Sequence, residues 1–233
     1  MAVVEPVRAD DRHHASGAPG ESGAAGAARV ERWFGWVDTV AFLGLLNLLV
    51  LAGTLAGGVV LGVAPALAAA TACSRTRLRG DAQRTVRAFA RAWTSGFGRA
   101  NLLAAPGLLT LALTGTSLVA LDGAPTALRV ALGVVGALGA VHLLLALTMD
   151  AHYDLRRRDV PRLAWAFLLR FPGAPLLLAA TTALVGVVTA FVPGLLPVVS
   201  IGVWVHLCTA LCLSFYAAND RTLRPAATDP LDE

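Results

Sequence analysis

The sequence predicts an all-α fold, a polytopic bundle of transmembrane helices, and three observations carry that prediction. Of the 233 residues, 56% are hydrophobic and only 15% are charged, where a soluble domain carries about 25% charge. The mean hydropathy is +0.67. The charges are also bunched, separated by apolar stretches about as long as the ~20 residues that cross a bilayer as a helix. Too few charged groups remain to clothe a water-facing surface, which excludes a soluble globular enzyme and a disordered chain. The three cysteines, Cys73, Cys208 and Cys212, are odd in number and lie in or beside apolar segments, which excludes a disulfide scaffold.

All nineteen basic residues are arginine, the composition of a GC-rich genome. The net charge of +4 does not argue for nucleic acid, because membrane topology accounts for where the arginines sit. Residues 1–28 are rich in Ala, Gly and Ser without an apolar period, and read as a disordered tail lacking a signal peptide. Residues 29–38 set Arg29 and Arg32 beside Trp33, Phe34 and Trp36, the signature of a membrane interface.

Thr39 to Cys73 is 35 residues without a charge. As one helix it would be about 52 Å long, well beyond the ~30 Å hydrocarbon core. Gly53, Gly57, Gly58, Gly62 and Pro65 offer a break. Two short spans, roughly 37–56 and 59–75, are the first reading; one span followed by a broken or re-entrant segment is the alternative. The total is then six spans, or five.

Residues 75–99 carry seven arginines against the single acid Asp81. An uncharged run follows at 100–121, then a turn at Asp122–Thr126 and another span at about 128–149. Residues 150–162 hold four arginines and three aspartates, and Phe171 to Asn219 is 49 residues without a charge. That length suits two spans, divided at Pro193-Gly-Leu-Leu-Pro197. The arginine-rich loops and the tail with Arg221 and Arg224 alternate with arginine-free turns. By the positive-inside rule the basic side is cytoplasmic, and with six spans both termini lie there. The domain plan is a tail (1–28), a helical membrane domain (29–220) and a cytoplasmic tail (221–233).

Asn47-Leu-Leu and Val59-Val-Leu-Gly-Val-Ala-Pro-Ala66 lead into Arg79-Gly80, then Phe89, Trp93, Phe97 and Asn101, and later Leu169-Arg-Phe-Pro172. Over about 31–220 this resembles the YesL-like family, bacterial integral membrane proteins of a domain of unknown function. The resemblance implies association with carbohydrate uptake, with sugar-transporter subunits as partners, and supplies no catalytic residues.

Residues 84–97 are amphipathic at 100° per residue. Val86, Phe89, Ala90, Trp93 and Phe97 fall in one arc, with Arg84, Arg87 and Arg91 opposite. The pattern predicts a helix lying in the membrane plane on the cytoplasmic side, with these residues forming a lipid or partner surface. Leu163–Phe171 is a second interfacial piece. Within the spans, Asn47 is expected to hydrogen-bond a neighbouring helix. His142 and His206 read as neutral histidines bonded across helices; the alternative is a polar pair lining a solute path. Gly133, Gly136, Ala137 and Ala140 form interleaved small-xxx-small patterns, expected to serve close helix packing.

No metal site is expected. Cys208 and Cys212 share a helix face, but His206 is rotated 200° from Cys208, and no CxxC or HExxH is present. No acid lies deep in a span, and no GxSxG, P-loop or dinucleotide fingerprint occurs. The expectation is a non-enzymatic protein without cofactor, embedded in the bacterial cell membrane. A small-solute transporter with its site at the broken first hairpin is the alternative.

Overall fold

The computed structural model describes residues 21–223 except 82–83, 122, 154–155, 157–158 and 172, with side chains from Trp33 to Arg221. The described residues form seven α-helices: α1 (Glu21–Ala56), α2 (Val60–Leu78), α3 (Thr85–Ala120), α4 (Thr126–His152), α5 (Asp159–Arg170), α6 (Gly173–Phe191) and α7 (Ile201–Leu223). A π-helical turn, Leu196–Ser200, runs directly into α7. Five stretches are long and apolar enough to cross a membrane: Trp33–Ala56, Thr85–Ala120, Thr126–His152, Gly173–Phe191 and Leu196–Arg221. They also leave large apolar side chains uncovered, among them Val119 at 80% and Phe191 at 83% exposure. Such a surface suits hydrocarbon rather than water, and the protein is a multi-pass helical bundle.

The chain divides into two compact units at Val40/Ala41. In the first, the described part is the start of α1. Its helix begins at Glu21, so residues 21–28, read as disordered tail, are helical; Ala24, Ala25, Ala27 and Ala28 favour that state. Trp33, Phe34 and Trp36 are all exposed.

In the second unit, the long uncharged run breaks where its glycines predict. Gly58 takes φ 74° and Val59 φ 62°, a left-handed pair that reverses the chain. Gly57 and Gly62 sit so close that a Cβ on either would strike the other strand of the hairpin. At 19 residues α2 is as long as α6, but it ends in Arg75 and Arg77 and buries ten residues, Pro65 among them. It is thus an interior helix that falls outside the five membrane-length stretches.

The expected in-plane helix over 84–97 is not a separate element. α3 runs unbroken for 36 residues, about 54 Å, because Gly96 and Gly98 alone do not stop a helix. The aromatic arc is turned inward as well. Phe89 is 4% exposed, and Trp93 lies against Gly53 and Phe97 against Gly57. The short amphipathic element is instead α5, which buries Val160, Ala164, Phe167 and Leu168.

α3 serves two neighbours with its two halves. The α1–α2 hairpin packs on the arginine-bearing first half, where Gly53 meets Trp93 and Gly57 meets Phe97. α4 packs on the second half through glycines. A Cβ on Gly107 would lie 2.9 Å from the Gly139 carbonyl oxygen and from Leu143 Cβ, and one on Gly139 would lie 2.9 Å from Thr110 Cγ2. The small residues on α4 therefore do serve helix packing, but through Gly136 and Gly139. Gly133 and Ala137 are exposed.

Candidate functional site

A proline inside a helix removes one N–H and orphans the carbonyl four residues before it. Pro65 does this to Leu61, and Asn101 repairs the loss by donating from Nδ2 to the Leu61 carbonyl at 2.9 Å and to the Phe97 carbonyl at 3.0 Å. Asn47 performs a larger version of the same task. In a π turn the N–H of residue i+5 meets the carbonyl of residue i, so Ile201 faces Leu196 and Gly202 faces Pro197. The Asn47 amide reaches all four groups. Nδ2 donates to the Leu196 and Pro197 carbonyls at 3.2 and 2.6 Å, and Oδ1 accepts from the Ile201 and Gly202 N–H groups at 2.9 and 3.2 Å. An amide has two donors and two acceptor lone pairs, so this fully buried side chain has no capacity left. The close approach it requires is permitted by Gly202, where a Cβ would strike the Leu43 carbonyl.

The histidines are placed differently. His206 meets the Phe42 ring edge-on at 5.7 Å, and the Arg77 guanidinium covers the other part of that ring at 4.6 Å. His142, 2% exposed, stacks on Trp165 of α5 at 5.1 Å. Neither of its ring nitrogens has a hydrogen-bond partner among the described residues, a state that costs about 1–3 kcal/mol per buried polar group. It lines a 260 Å³ cavity with Gly107, Thr110 and Trp165. Across Leu138 and Trp165 lies a larger, wholly apolar cavity of 570 Å³ between α4, α5 and α6. Asn47, His142 and His206 thus have three separate jobs, and no common path is built from them. His142 does not make the interhelical hydrogen bond expected of it. Periodicity places it on a buried face but carries no signal that α5 folds back to stack against it.

Two polar pairs tie the C-terminal part of α4 to its neighbours. Arg99 pairs with Asp150, and the Tyr153 hydroxyl donates to Asp220 at 3.0 Å. Burial, together with the Asp220 carboxylate, pushes the Tyr153 phenol up to about 12. Tyr216 and Thr148 share a buried hydroxyl–hydroxyl bond of 2.7 Å. Of the predicted surface residues, Arg84, Arg87 and Arg91 are exposed, whereas Phe89, Trp93 and Phe97 are part of the packing under the hairpin. Cys208 and Cys212 are fully buried and pack with Leu178 and Tyr216.

Residues 43–118 match the family model described as "Protein of unknown function, DUF624". The YesL-like family is a DUF624 family, so the resemblance read from the sequence is consistent with the match. The matched segment starts within α1 and ends just before the end of α3, so it comprises the glycine hairpin and the helix that receives it. Of the residues that carried the resemblance, Phe89, Trp93, Phe97 and Asn101 pack or bond within this segment, while Asn47 ties it to the π turn before α7. No curated protein and no solved structure matches the chain.

Proposed function

We propose that this protein is a non-enzymatic accessory or regulatory component of a carbohydrate uptake system in the bacterial cell membrane. The observation that carries the reading is the saturation of Asn47. A transporter working at the first hairpin needs that amide free in a polar cavity, and here its four hydrogen bonds go to the backbone around one π turn. The engaged acids support the absence of an enzymatic role: Asp150 is held by Arg99 and Asp220 by Tyr153. The link to carbohydrate uptake rests on the family resemblance. Both termini are cytoplasmic under the positive-inside rule when the 19-residue α2, although it lies outside the five apolar stretches, crosses with α1 as a hairpin; the exposed Arg84, Arg87 and Arg91 are then offered to a partner or to lipid headgroups.

The test is affinity purification of the full chain from its host in mild detergent, with quantitative mass spectrometry of what accompanies it. Sugar-transporter subunits in stoichiometric amounts are the expected result. Recovery of the protein alone overturns the accessory reading.

A further inference from the structure

The last turns of α4 and α7 and one side of α5 line a cavity of about 270 Å³. Met149, Leu163 and Phe167 make part of its wall apolar, and Tyr153, Arg170 and Asp220 make the rest polar. Arg170 and Asp220 carry opposite charges, yet they form no ion pair; among the described residues the Arg170 guanidinium has no partner. Asp220 accepts from the Tyr153 hydroxyl on Oδ1, which leaves Oδ2 open. Both charges can be reached from outside, because Arg170 is exposed and Asp220 is only half-buried. Two apolar stretches of membrane length end at this cavity: Thr126–His152 stops one residue before Tyr153, and Leu196–Arg221 one residue after Asp220. That is the level of lipid headgroups, where hydrocarbon gives way to charge.

We propose that this cavity seats the headgroup of an ethanolamine phospholipid, with its phosphate on Arg170, its primary ammonium on Asp220 and the first methylenes of its chains against Leu163 and Phe167. An anion alone would face the Asp220 carboxylate, and a cation alone the Arg170 guanidinium, so like charge opposes either. A ligand carrying both signs answers both walls. The guanidinium presents a fork of N–H donors that matches phosphate oxygens. A primary ammonium has three N–H donors, of which Asp220 Oδ2 takes one; the quaternary nitrogen of choline has none to give. The apolar wall and the depth select a lipid over a free zwitterion, because a soluble molecule would leave Met149, Leu163 and Phe167 unused. The proposal goes beyond the accessory reading and stands or falls separately from it.

The test is native mass spectrometry of the full chain in detergent micelles, titrated with dioleoyl phosphatidylethanolamine, phosphatidylcholine or phosphatidylglycerol. The ethanolamine lipid should half-fill one site at a concentration roughly tenfold lower than either of the others, as one charge-assisted hydrogen bond allows. Asp220→Asn keeps an acceptor for Tyr153 but removes the charge, and it should erase the preference over phosphatidylglycerol. Arg170→Gln should weaken the binding of all three lipids. Equal occupancy by the three lipids in the native chain overturns the proposal, and so does a preference that survives in Asp220→Asn. Soluble glycerophosphoethanolamine, which lacks the chains, should fail to displace the bound lipid; displacement at equal concentration marks a site for a free solute and overturns the lipid assignment. Unchanged elution of each variant on size exclusion shows that it is folded.

Discussion

Replacing Asn47 by leucine keeps the shape of the side chain and deletes four hydrogen bonds at once. Bonds between membrane helices average about 0.6 kcal/mol each, so their sum is about 2.4 kcal/mol. Two effects oppose the loss: leucine buries more apolar surface, and the freed groups of Leu196, Pro197, Ile201 and Gly202 can pair across the π turn. The net expectation is a destabilisation of about 2 kcal/mol. For a chain of this size that corresponds to a fall in Tm of about 4–8 °C, read by tryptophan fluorescence during heating in detergent. Asn47→Asp should fall further at neutral pH, because a carboxylate has no N–H and would face two carbonyl oxygens. Amide exchange at Ile201 and Gly202 should quicken in both variants. A Tm within about 1 °C of the parent for Asn47→Leu, well inside that expected range, would refute the reasoning that this amide sutures the turn.

Four further outcomes follow from the same contacts. Gly107→Leu should force α3 and α4 apart and cost about 1–3 kcal/mol by overpacking, visible as a lower Tm; an unchanged Tm contradicts the glycine seam. Arg99→Asp or Asp150→Arg alone should destabilise the bundle, and the charge-swapped double variant should recover part of the loss, with a coupling of about 1 kcal/mol; additive losses contradict the pair. In a Tyr216→Phe background, ultraviolet titration of Tyr153 should have its midpoint near pH 12. Because this acid's folded pKa is raised, its stabilising contribution is full below pH 10 and fades between 10 and 12; a midpoint near 10 contradicts its burial beside Asp220. Reversal of Arg84, Arg87 and Arg91 to glutamate should lower insertion or partner recovery, and normal membrane abundance with full recovery counts against their role.

The parts of the fold that were legible in the sequence are those governed by local chemistry. Gly57-Gly58 marked the turn of the first hairpin because the chain there needs positive φ, and Pro193-Gly-Leu-Leu-Pro197 marked the reversal between α6 and α7. Leu163–Phe171 reads as an interfacial piece, and α5 (Asp159–Arg170) covers most of it. What was not legible depends on a neighbour. The arc of Phe89, Trp93 and Phe97 has the period of a lipid-facing helix and of a helix covered by another equally, and only the presence of the hairpin decides between them. Asn47 reads as a helix-to-helix contact, and its partners are backbone groups exposed by a π turn some 150 residues later, which no periodicity announces. His142 shows the same limit, since its stacking partner and its cavity exist only once α5 returns along α4.

The claim that the described spans build no solute path is tested most directly by reconstitution. The purified full chain, in liposomes at defined density, is offered radiolabelled mono- and disaccharides on one side. Uptake indistinguishable from protein-free liposomes is the predicted result. Saturable uptake that disappears in Asn47→Leu would contradict the account, because it would require that amide to serve a passing solute.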